Sequence, residues 1–330
     1  MPTPEPAPAD IHARVRELVA LSVDDPLAPF ALRPEKLHVF SPDGRAAVSY
    51  RLRCGLAVAG GDPVGDVASW PAAIDTFMTE VASTRRGAAV LGAGELARDL
   101  WEGHGLSAVA IGRDVVVRPD DFELVGRHFR NLRQAIKRTH NSGVTVESWL
   151  ERDVPATVRM ELRNVVIAAK RDEERGFAMT LGRPFDGGQP ESLVLVARDH
   201  EGRLVASHRY LVAGHKDLSL DVPIRLPGAP NGVDERLIAE AVAWAGKHDF
   251  DRVSLAFAPF PELFAERRHL GLAKGAAYRL VHLLDPLIKV ERLYRYLRKF
   301  HAFDQQRHVM LRWRQLPRVA TALLLLEFGR

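Results

Sequence analysis

The sequence contains a single cysteine, Cys54, among 330 residues. One thiol cannot form an internal disulfide or a zinc site built from several cysteines, so a reducing compartment is expected. The sequence also lacks HExxH metal motifs, nucleophile-elbow motifs and Walker loops. These absences predict neither a metal nor a nucleotide cofactor.

Long apolar runs are scarce as well. The longest one near the C-terminus, Val319–Phe328, is far shorter than the ~20 residues that span a bilayer. The first ten residues are rich in proline and alanine and carry neither the basic nor the apolar region of a signal peptide. We therefore expect residues 1–24 to be a disordered leader, and the protein to be soluble or to lie on a surface.

Acidic residues are few in two segments, although the whole chain has a net charge of only +4. From Arg267 to Arg318 there are thirteen lysines and arginines and three acids, and residues 126–143 contain five basic residues and no acid. Helical spacing would place Arg130, Arg133 and Lys137 on one face. Such a face suits phosphate groups of a nucleic acid or of anionic lipids; the alternative is a solvated helix face.

The predicted elements follow a similar order twice along the chain. The first round has a hairpin, a helix, a strand, a helix, a strand and the basic helix (46–66, 70–86, 88–91, 95–103, 107–117, 126–142). The second has a helix, a hairpin and a strand–loop–helix–strand unit (155–169, 192–212, 218–257), followed by a basic helical tail (274–316). We therefore predict an α/β (α+β) fold with two tandem modules, 25–143 and 144–330.

The strand–loop–helix unit is the best candidate for a binding site. Apolar residues alternate with polar ones from Leu218 to Ile224, as in a half-buried strand, and helical spacing resumes after a Pro/Gly-rich loop. We predict Asn231 as the N-cap, with Gly228 and Gly232 allowing a ligand to approach the backbone. Free N–H groups at the helix start would face an anion or a carbonyl oxygen. The alternative is an ordinary turn inside an α/β domain.

The GNAT acyltransferase fold is expected to contain a strand, then a helix whose N-terminus holds a substrate, and then another strand. GNAT enzymes that use acyl-CoA carry a Q/R-x-x-G-x-G/A loop for the pyrophosphate. Here the loop runs from Arg225 through Gly228 to Pro230, so the last position lacks an N–H group. An acyl-CoA-dependent N-acyltransferase of the GNAT class remains an alternative, although this loop argues against CoA as the donor.

Six ordered motifs resemble one family over about residues 25–328. They are GDPVG, the Gly-rich segment, the basic helix, EERGFAMTLGR, the strand–loop unit and part of the tail (61–65, 92–112, 122–138, 173–183, 218–232, 293–309). Together they are similar to the C-terminal catalytic domain of the aminoacyl-phosphatidylglycerol synthases, the multiple peptide resistance factor family. The resemblance implies two GNAT-like modules that move an aminoacyl group, commonly lysyl or alanyl, from aminoacyl-tRNA to the hydroxyl of phosphatidylglycerol. Aminoacyl-tRNA would be the co-substrate, with no other cofactor.

The resemblance also implies site residues. The family motif after the strand is similar to Asp-x-x-Arg, and here Asp221 is followed by Ile224 at the fourth place and by Arg225 next. We predict Asp221 and Arg225 as catalytic, with Asp221 orienting or deprotonating the attacking hydroxyl. Glu174 and Arg183 lie in a segment that resembles the family's aminoacyl pocket, where a carboxylate would hold the α-ammonium group. The alternatives are a structural turn carboxylate for Asp221 and an exposed ion pair for Glu174.

Substrate binding is accordingly predicted for the pocket segment and the loop (Glu174, Arg183, Gly228, Asn231, Gly232). The phosphates of tRNA or lipid would be bound by the two basic segments (Arg130, Arg133, Lys137, Arg295, Arg298, Lys299). The expected location is the cytoplasm, at the inner face of the membrane. A third alternative is a module that binds tRNA or anionic lipid without catalysis, in which case replacing Asp221 would change nothing.

Overall fold

The computed structural model describes residues 8–170, 181, 184–259 and 290–327. Its helices are α1 Pro8–Leu21, α2 Trp70–Ser83, α3 Glu95–Gly103, α4 Arg130–Asn141, α5 Ala156–Lys170, α6 Val233–Lys247, α7 Val290–Leu297 and α8 Leu316–Glu327. Its strands are β1 Leu37–Phe40, β2 Ala46–Arg53, β3 Leu56–Gly60, β4 Val64–Gly65, β5 Gly87–Ala93, β6 Ser107–Val117, β7 Thr145–Leu150, β8 Leu193–Arg198, β9 Leu204–Ala213, β10 Asp217–Arg225, β11 Arg252–Pro259 and β12 Phe303–Leu311.

These strands form one mixed sheet in the order β1-β2-β3-β5-β12-β6-β11-β10-β9-β8-β7, with β4 paired to β2. In each half of the chain, antiparallel strands precede a parallel pair that is connected by a helix. The pair is β3 and β5 with α2 in the first half, and β10 and β11 with α6 in the second. The mixed α/β fold is thus confirmed, and the repeated arrangement is consistent with two tandem modules.

The last strand, β12, corrects the prediction of a helical tail over 274–316. β12 inserts between β5 and β6 and pairs antiparallel with both. Its second half is buried, including Val309 and Met310 in the core and the fully buried Arg307. The basic character of the tail suggested exposed helices, whereas Arg307 is neutralised inside the protein by carboxylates from distant segments. Residues 274–289 lie outside the described part of the chain.

Residues Pro8–Leu21 form helix α1, so the prediction of a disordered leader over 1–24 is wrong for this part of the segment. Val15, Leu18 and Val19 are almost fully buried at helical spacing and pack with Phe30 and other residues of the first half. Burial of this apolar stripe stabilises α1 against the sheet.

The basic helix is shorter than predicted, because α4 begins at Arg130 and residues 126–129 form a turn. The two largest hydrophobic clusters lie on the sheet around α6 and around α2, respectively. Among the described residues, no helix is long and apolar enough to cross a membrane.

Candidate active site

A cavity lies where the parallel strands β10 and β11 stop pairing. The two strands pair only from Asp217 to Ser219 and from Arg252 to Ser254, although both strands continue for several residues. Each strand has a register irregularity directly after this stretch, between Leu220 and Val222 in β10 and after Ser254 in β11. The cavity has a volume of about 170 Å³, and its lining includes Phe30, Asp114, Ser219, Asp221, Ser254 and Phe257.

Asp221 is the bulged residue of β10. On the neighbouring strand, Leu220 pairs with Tyr210 and Val222 pairs with Arg209, so Asp221 has no register partner. The bulge turns the Asp221 carboxylate toward Arg209, whose Nη1 donates to Oδ2 at 2.7 Å. The backbone N–H of Leu181 donates to Oδ1 at 2.6 Å. The predicted residue is therefore a buried, hydrogen-bonded carboxylate at the wall of the cavity.

Arg209 connects Asp221 to a second carboxylate. Its Nε donates to Glu151 Oε2 at 2.6 Å, and Glu151 Oε1 accepts the N–H of Phe185 at 2.7 Å. Burial raises the pKa of the Glu151 carboxyl, and the adjacent Arg209 partly opposes that rise. The third nitrogen, Arg209 Nη2, has no hydrogen-bond partner among the described residues. A cavity of about 20 Å³, with room for one water molecule, adjoins Arg209.

Sequence reasoning missed both Glu151 and Arg209. The available signal was a charged residue in the middle of Leu204–Ala213, a strand that is otherwise largely apolar. Because buried charges require partners, an arginine there predicts nearby carboxylates, although not which ones.

On another wall of the cavity, Asp114 is part of a second buried charge cluster. Arg307 donates from Nε to Asp114 at 2.7 Å and from Nη2 to Asp25 at 2.8 Å, while its Nη1 lies 3.3 Å from Asp62. Burial raises the pKa of Asp62 to about 7 and also raises the pKa of Asp114. Three carboxyl groups thus surround one guanidinium group, and their burial and mutual repulsion favour the protonated form of the cluster.

The structure places Arg225 at the end of β10, where its side chain is exposed and faces the following loop. Its guanidinium group donates to Asp234 Oδ2 at 3.2 Å, to Asn231 Oδ1 at 3.2 Å and to the carbonyl of Ala229 at 3.1 Å. Arg225 therefore stabilises the loop and the first turn of α6. Asp221 forms its ion pair with Arg209 on the neighbouring strand.

Asn231 is not the N-cap of α6, which corrects that prediction. The cap is Gly232, with φ of 101°, and the helix begins at Val233. A side chain at Gly232 would put its Cβ 2.5 Å from the carbonyl oxygen of Ala135 in α4. Both the positive φ and this close contact require glycine at position 232. The Asn231 side chain instead accepts a hydrogen bond from Arg225. Gly228 also has a positive φ, 83°, but its Cβ position faces open space.

The start of α6 holds a further polar pair. His208 on β9 is buried, and its Nε2 lies 3.4 Å from Asp234 Oδ1. Burial favours the neutral form of Asp234, but the contacts with His208 and Arg225 outweigh it and lower the pKa. Two other predicted residues, Glu174 and Arg183, lie outside the described residues.

The fold brings the two basic segments together. The turn before α4 meets the segment after α7, where the His301 ring packs edge-on against Phe129 and His128. Of the predicted phosphate-binding residues, Arg130, Lys137, Arg295 and Arg298 are exposed. Contacts within the protein engage Arg133 and Lys299. Arg133 donates to the carbonyls of Leu124 and Gly126, and Lys299 forms an ion pair with Glu235 at 2.8 Å.

Comparison with known proteins extends these observations. Residues 16–310 match the family model described as "Phosphatidylglycerol lysyltransferase, C-terminal". The MprF-like domain protein Rv1619 of Mycobacterium tuberculosis is 44% identical over 331 residues, covering 98% of this chain and 68% of that protein. The lysylphosphatidylglycerol biosynthesis bifunctional protein LysX of Rhodococcus opacus is 35% identical over 255 residues, or 77% of this chain. The chain spans only 23% of the length of that LysX protein.

Solved structures share the fold. The C-terminal domain of a putative lysylphosphatidylglycerol synthetase from Agrobacterium fabrum superimposes with a TM-score of 0.80 at 22% identity, covering 98% of both chains. L-PGS from Bacillus licheniformis gives a TM-score of 0.78 at 20% identity, covering 100% of this chain and 99% of that one. At this level of identity, the likeness concerns the fold alone. The family model covers most of the sequence, and we conclude that the chain belongs to the phosphatidylglycerol lysyltransferase C-terminal family.

Proposed function

We propose that this protein is an aminoacyltransferase that moves an aminoacyl group, lysyl or alanyl, from aminoacyl-tRNA to the hydroxyl of phosphatidylglycerol or a related lipid. The observation that carries the proposal is the cavity at the split between β10 and β11, with the bulged Asp221 in its wall. Family membership supports it, since the LysX relatives are named for lysylphosphatidylglycerol biosynthesis.

The transfer reaction depends on the positioning of its two substrates more than on a difference in free energy between substrates and products. The lipid hydroxyl oxygen attacks the ester carbonyl carbon of aminoacyl-tRNA, the bond to the tRNA ribose breaks, and the hydroxyl proton ends on the tRNA. One ester replaces another, so the enzyme must align the hydroxyl with the carbonyl and stabilise the oxyanion. Asp221 would orient the hydroxyl or accept its proton, with its own orientation fixed by Arg209 and the Leu181 N–H.

The acidic wall of the cavity suits the charge of the transferred group. An aminoacyl group carries an α-ammonium, and a lysyl group carries a second ammonium on its side chain. Asp114 and Asp221 both line the cavity, and hydroxyl groups of Ser219 and Ser254 are available as hydrogen-bond partners. A cationic group entering this cavity would therefore meet carboxylate and hydroxyl oxygens.

Aminoacyl-tRNA would bind the exposed basic residues around the start of α4 and the end of α7. Arg130, Lys137, Arg295 and Arg298 present positive charge there. Such residues bind the phosphate backbone through charge and counterion release. The reaction would take place in the cytoplasm, at the inner face of the membrane, where both substrates meet.

The test follows a radiolabel. The purified protein is incubated with labelled lysyl-tRNA or alanyl-tRNA and phosphatidylglycerol vesicles, with and without ribonuclease, and label in the organic phase is counted. We expect ribonuclease-sensitive labelling of lipid that falls by about 10²-fold or more in Asp221→Asn, the loss of a positioned acid–base group.

The matched control is Asp217→Asn. Asp217 lies on the same strand and is buried with its carboxylate 3.7 Å from Arg252, but it does not line the cavity. This variant should retain most of the transfer. No lipid labelling by the folded wild-type protein would contradict the proposal, and so would transfer from acyl-CoA that resists ribonuclease.

A further inference from the structure

A second surface of the protein combines an apolar helix face with a rim of arginines. Helix α8 packs its inner face, Val319, Ala322 and Leu326, onto the first half of the sheet. Its outer face is exposed and carries no charge near its centre. The outward residues are Leu316, Pro317, Ala320, Thr321, Leu324 and Leu325. A helix face that meets only water normally carries charged residues at such positions.

The exposed apolar residues are large. Leu324 is 46% exposed and Leu316 is 42% exposed. Directly before the helix, Trp313 is 60% exposed. Clustered exposed apolar side chains of this kind mark an interaction site more often than single exposed leucines do.

Two turns from the first half border this helix face. Arg318 donates from Nε to the carbonyl of Cys54 and from Nη2 to that of Gly55, both at 2.9 Å. Gln315 lies next to Gly87, at the end of the turn that contains Arg85 and Arg86. The β2–β3 turn, the 84–87 turn and residues 312–326 therefore form one continuous surface, which we call the α8 surface.

The α8 surface is strongly basic. Its five arginines are Arg53, Arg85, Arg312, Arg314 and Arg318, all exposed. Its three segments contain no Asp or Glu, and none of these arginines forms an ion pair with a carboxylate of the described residues. The hydrogen bonds of Arg312 and Arg318 go to backbone carbonyls, which leaves their positive charge uncompensated.

We propose that the α8 surface docks the protein onto an anionic lipid bilayer. Leucine side chains and a tryptophan at the boundary would enter the interface, while the arginines contact the phosphate groups of the lipids. A nucleic acid would use the arginines but would leave the outward leucines exposed. A bilayer satisfies both features together. This docking is independent of the transfer reaction, because vesicles without aminoacyl-tRNA suffice to test it.

The only cysteine lies on this surface and provides a probe at a defined place. Cys54 is exposed, and its carbonyl accepts from Arg318. We would label Cys54 with an environment-sensitive fluorophore and add vesicles of equimolar phosphatidylglycerol and phosphatidylcholine, or of phosphatidylcholine alone. We expect a blue shift and higher emission only with the anionic vesicles, together with flotation of the protein with them.

Three variants test the parts of the surface. Leu324→Glu should weaken vesicle binding by roughly tenfold or more, since it removes an apolar contact and adds a repelled charge. Arg314→Gln should weaken binding by about fivefold and reduce its dependence on salt. The control is Leu96→Glu on α3, at a leucine that is 70% exposed away from this surface, and it should bind as the wild type does.

Four results would overturn the proposal. The first is an unchanged probe and no flotation with anionic vesicles. The second is a probe response to tRNA but not to vesicles. The third is wild-type binding by Leu324→Glu, which would mean that the apolar face takes no part. The fourth is a concentration-dependent probe response without vesicles that Leu324→Glu abolishes, which would assign the surface to a second copy of the chain.

Discussion

Arg209 on β9 and Asp221 on β10 form an ion pair at 2.7 Å inside the protein, with their side chains 4% and 0% exposed. The pair exists because a bulge removes Asp221 from the regular register and turns it toward the neighbouring strand. It links the wall of the larger cavity to Glu151 and to the smaller cavity beside Arg209. The candidate catalytic carboxylate is thus part of a three-residue charge network.

Replacing Arg209 tests this network. Arg209→Gln leaves the Asp221 and Glu151 carboxylates buried without a counter-charge, and breaking a buried pair in this way costs about 3–5 kcal/mol. The loss should show in the free energy of unfolding from urea titrations. The control is Arg198→Gln, because Arg198 pairs with Glu161 at 2.7 Å nearer the surface and should cost about 1 kcal/mol or less. Equal losses in the two variants would contradict the prediction.

Stability should depend on pH through Asp62. Burial raises its pKa to about 7, well above the usual 3.8, so between these pH values the folded state binds a proton that the unfolded state has released. The free energy of unfolding contributed by Asp62 should therefore fall as pH rises from about 4 to about 7, by up to ~1.4 kcal/mol per pH unit. The Asp25 and Asp114 carboxylates add to this rise in the pKa of Asp62, and the Arg307 guanidinium group opposes it.

The comparison that isolates this effect is Asp62→Asn against the wild type, measured by urea unfolding at several pH values. Asparagine cannot ionise, so the stability of the wild type relative to the variant should decrease across that window. Asp217, with a pKa of about 6, and His38, with a pKa of about 4, contribute to both proteins and cancel in the difference. A pH-independent difference would show that Asp62 does not titrate there.

The N-terminus of α6 should tolerate no side chain at Gly232. Gly232→Ala combines a left-handed backbone with a Cβ placed 2.5 Å from the Ala135 carbonyl oxygen, so we expect a loss of roughly 2–4 kcal/mol. Gly228→Ala has the backbone strain without the contact and should cost about 1–2 kcal/mol. Denaturant titration of both variants gives the comparison. A smaller loss at Gly232 than at Gly228 would contradict the observed packing of α6 on α4.

The exposed basic residues of α4 should contribute to tRNA binding through charge alone. Replacing Arg130 and Lys137 with glutamine should lower the slope of log affinity against log salt by about 0.7–0.9 for each lost phosphate contact. Filter binding at several salt concentrations measures this slope. Lys216→Gln serves as the control, because Lys216 is a surface lysine near Asp251 and lies away from α4. An unchanged slope in the α4 variant would remove this helix from the tRNA site.

Much of the fold follows from local pattern. The apolar spacing of 95–103, for example, predicts the observed helix α3, and the alternation at 218–224 predicts β10. The ordered motifs indicate the family, which the match over residues 16–310 confirms. The two strands of the 192–212 hairpin also lie where the sequence places them.

The candidate site was only half predictable. The sequence indicates Asp221 and Arg225 as candidates, whereas the buried ion pair of Asp221 is formed with Arg209. The reason is the bulge: one extra residue in β10 changes which side chains of β9 and β10 meet, and no local pattern reveals it.

The sequence by itself determined most of the individual elements, the basic segments and the family, but not α1 or β12. Only the tertiary structure decided that β12 enters the first half of the sheet, that Arg307 meets Asp25, Asp62 and Asp114, and that α8 adjoins two arginine turns. Periodicity tells which face of an element is buried, because that depends on neighbours in the chain. It does not tell which distant element covers that face, because such pairings depend on the packing and charge balance of the whole protein.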